Sequence, residues 1–182
     1  MTLQELENHC QKCQKCDLAK TRRNLVFGQG NPNSKIMFIG EGPGRVEDET
    51  GLPFVGKAGQ LLDKMLLSIN LSRKDVYICN IVKCRPPQNR DPRPDEIENC
   101  LNYLRMQLIL IKPKIVVCLG RIAATTIMDK NFKITKQHGE VFENKGYKFV
   151  ATYHPAALLR FPEKKKDAYQ DLLVIKKLYE EA

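Results

Sequence analysis

The chain has 182 residues, of which 42 % are apolar and 28 % charged, and it carries a net charge of +9. This length fills one core and gives no reason for a second, so one domain over 1–182 is expected, and the composition excludes a disordered chain. The apolar runs, such as "IVVCLG" and "LLVI", are far too short to span a bilayer, and the basic surplus points to a polyanionic partner, nucleic acid before an anionic membrane.

The chain opens on "MTLQELENHC", polar and acidic where a secretory signal needs a basic start and an apolar stretch, so a cytoplasmic protein is expected. Four later segments read as buried strands: "KIMFIG" (35–40), "VYICNIV" (76–82), "KIVVCLG" (114–120) and "YKFVATY" (147–153). None alternates cleanly, the pattern of parallel strands covered on both faces. Between the first two, "GKAGQLLDKMLLSINLS" carries Leu61, Leu62, Met65, Leu66 and Ile69 at helical spacing. Between the second and third, "RPDEIENCLNYLRMQLILIK" starts on a proline and an acidic first turn, with an apolar stripe through Ile97, Leu101, Leu104, Leu108 and Ile111. "RIAATTIM" is a short helix after the third strand, and "KKKDAYQDLLVIKKLYEEA" is the last. Strand alternating with helix predicts an α/β fold: a three-layer α/β/α sandwich around a four-stranded parallel sheet.

Seven cysteines, an odd number with no secretion signal, argue against a disulfide framework and for metal binding. Cys13 and Cys16 form a C-x2-C pair, Cys84 follows the second strand, and Cys100 lies in the next helix. The wide spacing of the second pair suits a 4Fe–4S cluster at least as well as zinc. Cys10, Cys13 and Cys16 form another legal triad, whereas Cys79 and Cys118 read as small buried hydrophobes. Ligation by Cys13, Cys16, Cys84 and Cys100 would tie the N-terminal arm to the proline-rich loop.

In such folds ligands sit beyond the carboxyl ends of the strands. Those ends hold "GEGPG" with Glu41, "NIVKCRPP" after Asn80, and "HPAALLR" with His154; the loop "GLPFVG" adds Phe54. Singly, Phe54 reads as core, His154 as a satisfied histidine and Asn80 as a backbone stitch. Together they offer an aromatic face, a bidentate amide, a histidine and a carboxylate, a pocket for a planar hydrogen-bonding ring.

Over nearly its whole length, through "QKCQKC", "GEGPGRVEDETGLPFVGKAG", "YICNIVKCRPPQNRDPRPDEIENC" and "YHPAALLR", the chain resembles a family-four uracil-DNA glycosylase, the iron–sulfur branch of that superfamily. The resemblance implies hydrolysis of the bond between uracil and deoxyribose in base excision repair, on single- or double-stranded uracil-containing DNA, by a nucleoid-associated monomer. It selects Cys13, Cys16, Cys84 and Cys100 as ligands of a 4Fe–4S cluster. It further implies a pocket made by Gly40, Glu41, Gly42, Pro43, Glu47, Phe54, Asn80 and His154. Phe54 would stack on the base, Asn80 would read N3–H and O4, and Glu47 would wall off the thymine methyl. His154 would donate to O2, helped by backbone N–H groups around Gly42. The best-known branch of the superfamily carries an aspartate where Gly42 stands; Glu41, with Asn89 as the alternative, is the candidate for orienting water. Leu158 is expected as the wedge that holds the base out, and Arg160, Arg85 and Arg90 as phosphate contacts. Competing readings are a non-catalytic iron–sulfur or zinc module that binds nucleic acid, an electron carrier, and a glycosylase for another damaged base.

Overall fold

The computed structural model describes all 182 residues. The elements in chain order are α1 (Leu3–Cys10), α2 (Leu18–Thr21), β1 (Gln29–Gly30), β2 (Ile36–Gly40), α3 (Arg45–Thr50), α4 (Lys57–Ser68), β3 (Tyr77–Asn80) and α5 (Pro94–Ile111). They continue with β4 (Ile115–Leu119), α6 (Arg121–Ile127), α7 (Ile134–Gln137), β5 (Val141–Asn144), β6 (Tyr147–Thr152), α8 (Pro155–Arg160) and α9 (Lys165–Glu181). No helix is long and apolar enough to cross a membrane.

The four expected strands form the parallel centre of the sheet, β3-β2-β4-β6. The sheet nevertheless has six strands, not four, because each edge gains an antiparallel one. On one side the two residues of β1 pair with β3. On the other, β5 folds back on β6 through Lys145 and Gly146, whose φ values of 52° and 86° are those of a primed hairpin turn.

Successive side chains of β2 point to opposite faces, and both faces are covered. Met37 and Ile39 join Leu6 of α1, Leu104 of α5 and Ala123 and Ala124 of α6. Ile36 and Phe38 join Leu62 and Leu66 of α4, Leu158 of α8 and Leu172 and Ile175 of α9. Helix α5 begins on Pro94, with Glu96 accepting from the Arg93 N–H at 2.8 Å, and ends at Lys112 in the left-handed region (φ 54°). The register pairs Gly40 with Asn80 at the carboxyl ends of β2 and β3, which sets the floor of the site.

Candidate active site and cysteine cavity

The close approach at Gly40 explains its lack of a side chain. A Cβ there would stand 2.5 Å from Phe54 Cζ and 2.7 Å from Asn80 Oδ1. Phe54 adopts a left-handed backbone (φ 51°), a conformation that costs a bulky residue and needs outside support. Glu47 supplies one side of that support: its carboxylate accepts from Gly44 N at 3.0 Å, Val55 N at 3.0 Å and Gly56 N at 2.7 Å. Arg73 supplies the other, donating to the carbonyls of Pro53 (3.0 Å) and Phe54 while its Nε meets Asp63 Oδ1 at 2.6 Å. Gly59 of α4 gives the Phe54 carbonyl room. Arg73 is a site-forming residue that strand-end reasoning misses, since it acts through the carbonyls of a loop on the far side of α4 in the chain.

Asn80 is 2 % exposed, and its Oδ1 is a buried acceptor with no hydrogen-bond partner. Leaving such an atom unpaired costs about 1–3 kcal/mol, so the site favours a ligand that brings a donor. His154 caps α8, its Nδ1 accepting from Ala156 N at 3.0 Å. Burial lowers its pKa from 6.5 to about 4, against a smaller opposing pull from the Glu47 charge. The ring is therefore neutral at physiological pH. With Nδ1 occupied as an acceptor, its proton is assigned to Nε2.

One cavity of about 300 Å³ is lined by Glu41, Gly42, Pro43, Glu47, Phe54, Asn80, Asn89, Arg90 and His154, with Gly40 beneath it. Glu41 also lines an adjoining cavity with Gly120, Arg121 and His154. Its pKa rises from 4.5 to about 7, chiefly by burial and then by the Asp91 carboxylate, with Arg121 pulling the other way. Arg121 Nη2 meets Asp91 Oδ2 at 3.0 Å, tying the proline-rich loop to the start of α6 beside Glu41.

The expected DNA contacts divide. Arg160 is exposed on α8, and Arg85 donates to Asn89 Oδ1 at 2.8 Å. Arg90 forms a two-pronged pair with buried Glu96, at 2.8 and 2.9 Å, so much of its donor capacity is engaged within the protein. Leu158 requires a correction. It is 1 % exposed and packed in the core, so it cannot serve as a surface wedge; its neighbour Leu159 is 45 % exposed. Helix α8 turns Leu158 towards the layer holding α4 and α9, and the periodicity of so short a segment does not reveal that face.

Cys13, Cys16, Cys84 and Cys100 converge on a second cavity, together with Arg22 and Tyr103. Arg22 Nη1 donates to Cys13 O at 2.7 Å and Cys84 Sγ at 3.4 Å. The Lys83 N–H donates to Cys100 Sγ at 3.3 Å. No group of three or more His, Cys, Asp or Glu side chains stands ready to hold a metal ion directly. The donor set is nonetheless all thiol, and cluster irons are held by thiolates spread around several metal atoms rather than one. Cys10, Cys79 and Cys118 are buried and line neither cavity.

The strand-end pocket offers a neutral histidine, an unpaired amide oxygen and an aromatic face, the groups by which a planar, hydrogen-bonding ring is recognised. Comparison with known proteins gives the family: the model of the uracil DNA glycosylase superfamily matches residues 27–175, and the chain belongs to it. The chain is 48 % identical to the Type-4 uracil-DNA glycosylase of Archaeoglobus fulgidus, over 97 % of this chain and 93 % of that one. It is 47 % identical to the Type-4 enzyme of Thermotoga maritima, over 82 % and 79 % of the two chains. With the Type-4 enzyme of Pyrobaculum aerophilum it shares 42 % identity over 94 % and 92 %.

Proposed function

We propose that the protein is a uracil-DNA glycosylase that flips uracil out of DNA and hydrolyses its N-glycosidic bond, leaving an abasic site for base excision repair. The observation that carries this reading is the buried, unpaired Oδ1 of Asn80 at the floor of the pocket.

Uracil N3–H is the donor that this oxygen lacks, and the Asn80 amide N–H faces uracil O4. Cytosine has an acceptor at N3 and a donor at the 4-position, so it would leave both groups of Asn80 unpaired. Such a mismatch supports discrimination of roughly 10⁴–10⁵. Phe54 stacks on the base, a contact worth about 1–3 kcal/mol. Glu47 holds the Phe54 loop through the backbone N–H groups of Val55 and Gly56, so its part in excluding the thymine methyl rests on shape set by that loop.

Water adds to C1′ as the C1′–N1 bond breaks, and uracil leaves with the bonding pair. Negative charge builds on O2, where the neutral His154 donates Nε2–H with no proton transfer required. Losing a donor of this kind typically costs about 10²–10³ in rate. Glu41, ionised above about 7, orients the water, takes its proton and faces the cationic sugar. Asn89, held by Arg85, is the alternative for placing the water.

Leu159 replaces Leu158 as the wedge, on the ground of its exposure. Arg160 and Arg85 are the main phosphate contacts, with Arg90 bracing the proline-rich loop through Glu96. Cys13, Cys16, Cys84 and Cys100 hold a 4Fe–4S cluster, which supplies a covalent tie between the N-terminal arm, the proline-rich loop and α5. The protein works as one domain and a monomer, on single- or double-stranded DNA, in the cytoplasm near the nucleoid.

Incubation with a uracil-containing oligonucleotide, followed by alkaline cleavage at abasic sites, tests the reading. Strand breaks at uracil alone are expected. DNA binding without base release would instead favour a non-catalytic module.

A further inference from the structure

Lys83 is fully buried, with 0 % of its surface exposed, between the end of β3 and Cys84. Its Nζ donates to the Asn80 carbonyl at 2.9 Å and to Gln107 Oε1 at 2.7 Å, and lies 5.9 Å from the centre of the Phe27 ring. Gln107 in turn donates from Nε2 to the Phe27 carbonyl at 2.9 Å. Every partner of the ammonium is neutral, and Lys83 takes part in none of the ion pairs of the chain. A fully desolvated cation without a counter-charge is costly by several kcal/mol. The structure does offer a region where negative charge belongs. The Lys83 backbone N–H points at Cys100 Sγ and Cys84 follows it in the chain, so the backbone of Lys83 borders two of the four cysteines that line the second cavity.

We infer that the Lys83 ammonium is the internal counter-charge of the four-thiolate centre and links that centre to the Asn80 backbone in the base pocket. This inference rests on the cluster reading given above. A 4Fe–4S core bound by these four thiolates, two buried and two half-buried, would carry net negative charge, and a nearby buried cation would offset the desolvation of both. The same ammonium grips the carbonyl of the residue that reads the base, so charge at the centre and geometry in the pocket share one side chain.

A lysine that merely packs and a lysine that neutralises the centre respond differently to Lys83→Met. The experiment compares wild-type and variant full-length protein, each purified anaerobically with its cluster and each depleted of iron by chelation, by thermal denaturation. Iron, sulfide and visible absorbance are measured alongside. If Lys83 is the counter-charge, the variant melts below wild type when loaded and above it when depleted, because the depleted wild type retains a buried cation with nothing to balance it. Release of iron to a chelator is expected to be at least about tenfold faster in the variant. Shifts of the same sign and size in the two forms overturn the inference, as does unaltered iron release.

Lys83→Gln is the second variant. It removes the charge while keeping a donor for the Asn80 carbonyl, and decides the question should Lys83→Met fail to fold. Faster iron release from Lys83→Gln supports the inference, and wild-type release overturns it. Wild-type protein that binds no iron or sulfide would overturn the cluster reading itself, an outcome distinct from iron-loaded protein indifferent to Lys83.

Discussion

The rings of Phe54 and His154 lie 5.5 Å apart, centre to centre, and 30° from parallel. That spacing is too small for a base to be sandwiched between the two faces. Under the proposed function a ring entering the pocket stacks on Phe54 alone and takes its hydrogen bond from His154 Nε2. The division of labour follows: a sequence-blind face from one residue and a directional donor from the other.

His154→Ala removes that donor, and a loss of about 10²–10³ in single-turnover excision is expected while DNA binding persists. Asn80→Ala removes the acceptor for N3–H and is expected to abolish most excision with binding again retained. Quenched-flow excision and filter-binding measurements check both. Near-wild-type turnover in the two variants would eliminate the pocket.

Excision should depend on pH through Glu41. Its carboxyl titrates near 7, so the ionised form needed to accept a proton from water grows as pH rises, and kcat/KM should climb through about 7 and then level off. Glu41→Gln should remove that limb along with most of the activity. Asp91→Asn should move it to lower pH, because the Asp91 charge is one of the causes that hold the Glu41 proton on. His154, with its pKa near 4, should contribute no limb between pH 5 and 8.

Stability carries its own pH signature. His154 binds a proton more weakly in the folded chain, at about 4, than at its ordinary 6.5. Its contribution is thus present above about 6.5 and lost as pH falls towards 4. Glu41 acts oppositely: its raised pKa gives stability below about 4.5 that is lost as pH rises through 7. Urea denaturation across this range should show Glu41→Gln gaining stability over wild type at pH 8 and little at pH 4.

Leu158→Ala and Leu159→Ala should separate core from wedge. The first empties a filled position and is expected to cost about 2–5 kcal/mol of stability, with activity on single- and double-stranded DNA falling together. The second leaves the melting temperature near wild type and lowers excision from duplex more than from single strands, since only a duplex needs its stack held open. Equal losses on both substrates for Leu159→Ala would contradict the wedge.

Phosphate contacts should appear in the salt dependence of binding. Arg160→Gln is expected to weaken binding at all sequences and to flatten the log K against log salt slope by about one. Arg90→Gln should behave differently, because its guanidinium is bonded to Glu96 at 2.8 and 2.9 Å. It should lower stability by stranding a buried carboxylate, with little change in that slope.

Much of the centre of the fold was legible because strands buried on both faces are written as continuous apolar runs, and "KIMFIG" and "KIVVCLG" lie within one residue of β2 and β4 at either end. The edges were not. β1 is only Gln29 and Gly30, too short for any pattern. In β5 all four residues are exposed, so no alternation marks it, and its one signal is the Lys145–Gly146 turn. Asn80 and His154 were legible because parallel topology brings strand ends together. Arg73 and Lys83 were not, since what defines them is the oxygens their side chains reach, those of Pro53 and Phe54 for Arg73 and those of Asn80 and Gln107 for Lys83. Leu158 misled because a leucine after the histidine has the chemistry of a wedge, and only packing against the sheet decides which of two adjacent leucines faces out.

A crystal structure of the protein with product DNA and free uracil tests the central claim most directly. The account predicts uracil in the 300 Å³ cavity, stacked on Phe54, with N3–H donated to Asn80 Oδ1 and O2 accepting from His154 Nε2. Uracil bound elsewhere, or in the cavity with Asn80 Oδ1 still unpaired, would contradict it.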